Sequence, residues 1–155
     1  MGDSYPTIKV AAVQAASVFL DREGSVEKAC RLIREAGSNG ARVIGFPEGF
    51  IPAHPVWYHH HAASGAIANR LAVELFKNSV EIPGPETDAL CEAARSVNAY
   101  VVIGVCEKIP QTMGTMFNTQ LYIGPDGTLI RKHQKIMPTV GERLVHTGGY
   151  GDTFG

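Results

Sequence analysis

Residues 8–48 read IKVAAVQAASVFLDREGSVEKACRLIREAGSNGARVIGFPE, and they decide the fold. Residues 8–16 are a short, nearly continuous apolar run, the mark of a strand buried on both faces. After Gly24-Ser25 the period changes: Val26, Ala29, Cys30, Ile33 and Ala36 share one face of a helix. Gly37 and Gly40 supply its stop. Residues 42–46 (RVIGF) are a second buried strand, ended abruptly by Pro47-Glu48-Gly49. Strand, helix and strand in that order imply a parallel pair joined by a right-handed crossover. The chain is therefore α/β.

Beyond Glu48, the proline- and histidine-rich residues 50–63 read as an ordered loop. Residues 64–80 follow a helical pattern with Leu71, Leu75 and Phe76 on the apolar side. Gly84-Pro85 opens another helix, because proline's missing N–H costs little in a first turn. Leu90, Ala93, Ala94 and Val97 form its inward face. Residues 100–105 (YVVIGV) have strong strand propensity. Residues 117–123 and 128–133 flank Gly124-Pro125-Asp126-Gly127, a turn signal, and predict an antiparallel hairpin. No repeat, linker or low-complexity segment divides the chain. The expected organisation is a flexible terminus at 1–7 and one domain over 8–155.

The 155 residues carry 14 basic and 15 acidic side chains, a formal charge of −1. This gives no electrostatic case for nucleic acid or an anionic membrane. The first residues lack a secretory pattern, and Pro6 stands where a myristoylation motif wants Ser or Thr. No apolar run approaches the roughly 20 residues that span a bilayer. Cys30, Cys91 and Cys106 are an odd number, far apart and without a C-x-x-C, so reduced thiols in a cytoplasm are expected.

Three residues are placed for chemistry. Glu48 follows a buried strand, where open α/β sheets gather their ligand sites. Walls of Phe46, Phe50 and Trp57 would desolvate it and raise its proton affinity, as a general base requires. The competing reading is a solvated loop glutamate. Lys135 enters the apolar Ile136-Met137-Pro138 and can set its cation over a developing negative charge; alone, it would read as a surface lysine. Glu142 lies beyond it, where an ion pair with Arg143 or Lys135 would serve equally well. His54, His59, His60 and His61 crowd one loop and invite a metal reading. Neighbouring residues point in different directions, however, so they do not converge as ligands. His54 and Trp57 fit a substrate-pocket wall or a subunit contact better.

Val10-Ala11-Ala12-Val13-Gln14, Phe46-Pro47-Glu48, Pro125-Asp126-Gly127 and His133-Gln134-Lys135-Ile136-Met137-Pro138-Thr139 with Glu142-Arg143 occur in the order of the nitrilase superfamily. The chain resembles that family from about Lys9 to Gly151. The K-x-x-P-T-x-x-E-R form, and Ile51-Pro52-Ala53-His54-Pro55, resemble true nitrilases more than aliphatic amidases or carbamoylases. The resemblance implies a four-layer α-β-β-α sandwich, of which this chain would be the N-terminal part. It implies Glu48 as general base, Lys135 as stabiliser of developing charge and Glu142 as a second, positioning glutamate. It implies no metal and no cofactor, a small-molecule nitrile as substrate, and a homo-oligomer at full length.

In that family the nucleophilic cysteine follows the lysine, and no cysteine here does. Cys106, in Val105-Cys106-Glu107, precedes Lys135 and falls at the expected end of its strand. Cys30 and Cys91 lie on apolar helix faces. The expectation is a truncated domain, inactive as these 155 residues, from an enzyme that hydrolyses a nitrile to a carboxylic acid and ammonia. Cyanide hydratase or amidase chemistry stands as the alternative within the class, and a non-catalytic fragment or pseudoenzyme as the alternative outside it.

Overall fold

The computed structural model describes residues 5–151, so residues 1–4 of the terminus expected at 1–7, and 152–155 of the domain expected at 8–155, lie outside the described residues. Five strands form one sheet in the order of the chain: β1 (Val10–Ala12), β2 (Val43–Gly45), β3 (Tyr100–Lys108), β4 (Met116–Ile123) and β5 (Leu129–Gln134). The first two pairings are parallel and the last two antiparallel. Helices α1 (Arg22–Ser38), α2 (Ala66–Asn78) and α3 (Pro85–Ser96) fill the connections. Among the described residues no helix is long and apolar enough to cross a membrane.

The β-α-β unit and the β4–β5 hairpin stand as expected. Helix α1 begins earlier than its apolar period suggests, because Asp21 caps it by accepting a hydrogen bond from Gly24 N at 2.9 Å. Gly37 does not stop the helix. It lies within the last turn, where a Cβ would come within 2.3 Å of Val97 Cβ, so it lets α1 and α3 approach. Gly40, at φ +85°, makes the left-handed exit that needs glycine.

The core lies between α1 and α3 on one face of the sheet. Ala29 and Ile33 from α1 and Leu90 and Ala93 from α3 meet Ile44, Val101, Ile103, Val105 and Leu121. Burying each large aliphatic side chain is worth about 1.5–3 kcal/mol. An exposed ion pair such as Lys77–Glu74 offers at most about 1 kcal/mol, so burial sets the fold.

Two strand expectations need correction. Residues 8–16 are not buried on both faces: Ala11, Val13 and Ala15 turn toward the helices, while Val10, Ala12 and Gln14 are exposed. Only one face of this edge strand is covered. Strand β3 runs past Val105, so Cys106 is an interior residue of the strand and fully buried. It lies on the face opposite the main core, with Trp57, Ala68, Leu75 and Met116 in a second apolar cluster.

Candidate active site

Two segments leave the sheet near each other and bring the candidate residues together. The chain after β2 runs along β3, bonding through Phe46 N to Val102 O at 2.8 Å and Cys106 N to Ile51 O at 2.7 Å. Between those points Pro47, Glu48 and Gly49 lie directly on Gly104, where a Cβ would meet Gly49 N at 2.6 Å. Lys135 continues the β5 ladder by one bond, its N–H donating to Asn118 O at 2.8 Å. Beyond it, Thr139 opens a short 3-10 turn, Val140–Leu144, whose third residue is Glu142.

Lys135 Nζ donates to Glu48 Oε1 at 2.8 Å and to Glu142 Oε2 at 2.9 Å. Asn118 Nδ2 donates to Glu48 Oε1 at 2.6 Å and to Glu142 Oε1 at 2.5 Å. Glu142 Oε2 also accepts from Thr139 N at 2.9 Å and Thr139 Oγ1 at 3.2 Å. His54 Nε2 stands 3.7 Å from Glu48 and 4.0 Å from Glu142. His146, wholly buried, places Nδ1 3.5 Å from Glu142 Oε1 without an aligned hydrogen bond.

These contacts set the charges. Burial pushes the Glu142 carboxyl up, but hydrogen bonds from Asn118, the Thr139 backbone and Lys135 outweigh it and hold it at about 2. Burial likewise opposes ionisation of Glu48, and the bonds from Lys135 and Asn118 outweigh it, leaving the carboxyl below its ordinary value. The expected rise in Glu48's proton affinity is thus corrected: the side chain is half-exposed, and its donors dominate. Lys135 loses something to burial and gains more from its two carboxylates, so it is held above the usual lysine value. Burial draws His146 down to about 4, although the Glu142 charge acts against it.

A cavity of about 330 Å³ opens beside this cluster, on the sheet face away from α1 and α3. Phe46, Glu48, Asn118, His133, Lys135 and Ile136 are among its walls. Phe46 packs edge-on against the buried Phe50 at 5.1 Å between ring centres. Trp57 is not in the wall. It is buried, 4% exposed, in the second cluster beside Cys106. Of the expected pocket pair, only His54 reaches the carboxylates.

Glu48, His54 and Glu142 each offer one ligand atom, all within 4.8 Å of one another. The Lys135 ammonium already bonds both carboxylates, so the cation between them is a side chain. Cys106 lies opposite Asn118 in the β3–β4 ladder, yet it is fully buried: it donates through Sγ to Ala53 O at 3.2 Å, and burial, with the Glu142 and Glu48 charges, pushes its thiol far up.

The carbon-nitrogen hydrolase family profile matches residues 9–153. The chain belongs to this family. It is 40% identical over 148 residues to a nitrilase of Bacillus sp. (strain OxB-1), covering 96% of this chain and 42% of that protein. It is 37% identical over 162 residues to a bifunctional nitrilase/nitrile hydratase of Nicotiana tabacum, covering 99% of this chain and 45% of that one. The chain thus spans less than half the length of these relatives. A Saccharomyces cerevisiae member of branch 10 of the nitrilase superfamily shares the fold, with a TM-score of 0.72 at 22% identity. That match covers 94% of this chain and 50% of the yeast chain.

No local signal in the sequence marks Asn118 or His146 as part of the site: an asparagine inside a strand and a histidine after a turn are ordinary. The Thr139–Glu142 contact was readable, since T-x-x-E is a capping box whose glutamate turns back toward its threonine. The same turn delivers Glu142 to Lys135.

Proposed function

We propose that this chain supplies the general base and the charge-stabilising lysine of a nitrilase-type hydrolase that converts a nitrile to a carboxylic acid and ammonia. The observation that carries the reading is Lys135 Nζ bonded to both Glu48 and Glu142, residues from different ends of the chain, at the rim of a cavity. A carboxylate held ionised at neutral pH is ready to accept a proton, and a fixed ammonium favours negative charge beside it.

The nucleophile in this reading is a cysteine outside the 155 residues. Its sulfur bonds to the nitrile carbon, its proton passes by way of Glu48 to the nitrogen, and a thioimidate forms. Water adds to that carbon, ammonia leaves and a thioester remains. A second water breaks the carbon–sulfur bond and returns the thiol. The sum is one nitrile and two waters giving one acid and one ammonia. Lys135 stabilises, in this reading, the charge that develops on the substrate nitrogen and later on the oxygen. Glu142 orients Lys135. Homo-oligomeric assembly and a cytoplasmic setting belong to the same proposal, the latter supported by Cys30, Cys91 and Cys106 all being free thiols.

The test is ammonia release from a nitrile panel by the protein carrying its cysteine segment. Glu48→Gln should lower kcat by about 10²–10⁴-fold, the usual contribution of a general base. Lys135→Ala should lower it by about 10²–10³-fold. Either variant turning over at the unmutated rate removes that residue from its role. Likeness to a bifunctional nitrilase/nitrile hydratase favours amide as a second product, so acid and amide should be measured together.

A further inference from the structure

Asn118 stands on β4 with its side chain 6% exposed, and its Nδ2 serves both carboxylates of the cluster, at 2.6 Å and 2.5 Å. An amide nitrogen carries two N–H groups, so one goes to each carboxylate. Turning the amide over would set its oxygen against two negative oxygens, so only this orientation attracts. Lys135 spans the same two side chains through Glu48 Oε1 and Glu142 Oε2. Two negative charges therefore share one positive charge. The other titratable groups facing them are His54, His146 and the Cys106 thiol, which burial keeps neutral, and His133 lines the adjoining cavity.

Carboxylates brought onto one donor repel, and such a pair lowers its energy by taking up a proton between them. A second cation at position 118 would remove the repulsion but also the surplus negative charge on which the base depends. An aliphatic residue would leave the repulsion whole. An amide supplies two hydrogen bonds and no charge. We propose that Asn118 is a positioning residue that holds Glu48 and Glu142 apart as two ionised groups with capacity for one proton. The proposal rests on Glu48 being the base, but its first test needs no turnover.

In the complete, unmutated protein, labelled with ¹⁵N and with ¹³C at the glutamate carboxyls, the two side-chain amide protons of Asn118 should lie downfield. Each should move with the titration of a different glutamate, Glu48 or Glu142. Amide protons that ignore both titrations overturn the proposal while leaving the catalytic reading standing. Asn118→Leu and the isosteric Asn118→Asp then probe the pair directly. In either folded variant one glutamate should titrate upward by about one pH unit or more. In the complete enzyme the acid limb of the kcat/KM profile should move the same way, with kcat falling about 10²-fold. A folded variant whose carboxyl titrations match the unmutated chain also overturns the proposal, and a loss of kcat with an unmoved acid limb reduces Asn118 to a merely structural part.

Discussion

At the scale of single residues, the buried acid–base groups predict how the fold responds to acid. His146 binds its proton near pH 4 when folded and at its ordinary value when unfolded. Between those values the unfolded chain holds more protons, so stability falls as pH drops from about 6.5 to about 4. Glu142, held at about 2, contributes stability that is whole above its ordinary value and is lost as pH falls toward 2. The two losses follow one another. Urea unfolding at a series of pH values should show a continuous decline, and His146→Phe should flatten the part above pH 4.5 alone. A decline of unchanged slope in that variant assigns the upper limb elsewhere. Glu48 and Lys135 were legible in the sequence because each follows a strand. The sign of Glu48's shift was not legible, because it is set by Asn118 and Lys135, far away along the chain.

At the scale of elements, the position of Glu48 is set by a strand that lacks a side chain. Gly104 sits inside β3 where a Cβ would come within 2.6 Å of Gly49 N, 2.8 Å of Pro47 O and 2.9 Å of Glu48 Cα. All three are backbone atoms, which have little room to yield. Gly104→Ala should therefore destabilise the fold by about 1–3 kcal/mol through overpacking. It should also push Glu48 off Lys135 and lower kcat on the order of 10²-fold, as a misplacement near 1 Å does. Thermal unfolding and steady-state kinetics on the complete enzyme check both effects, and a variant with wild-type kcat would show that the segment has slack. The strand itself was readable from YVVIGV, but its length was not. Cys106, Glu107 and Lys108 extend it because β4 offers Asn118, Phe117 and Met116 as partners, a pairing that hydrophobic pattern does not encode. Glu107 is a buried charge in a strand and would count against one, yet Lys132, Thr119 and Gln134 satisfy it.

At the scale of the whole molecule, residues 8–16 show a mismatch between apolar sequence and cover. An apolar run on both faces meets cover on only one, and the same holds farther across the sheet. Val10 and Tyr100 are 64% and 49% exposed on the face away from α1 and α3, with Val43 half-buried between them and Val102 and Tyr122 half-buried farther along the strands. The four-layer sandwich that the sequence resemblance implies would set a second sheet against such a face. An exposed apolar sheet face associates with whatever apolar surface it meets. The 155-residue polypeptide should therefore sediment as species larger than a monomer and bind a hydrophobic dye. Val10→Lys with Tyr100→Lys should shift it toward monomer, since both positions lie on the open face and away from the Glu48 cluster. The same polypeptide should release no ammonia from nitriles, because the thiol nearest Glu48 and Glu142 is packed: Cys106 is fully buried, with its Sγ bonded to Ala53 O. A monodisperse, dye-free monomer at tens of micromolar would mean that the face is stable in water as it stands. Nitrile turnover by this polypeptide, abolished by Cys106→Ala, would move the nucleophile into β3 and overturn the proposed division of the site.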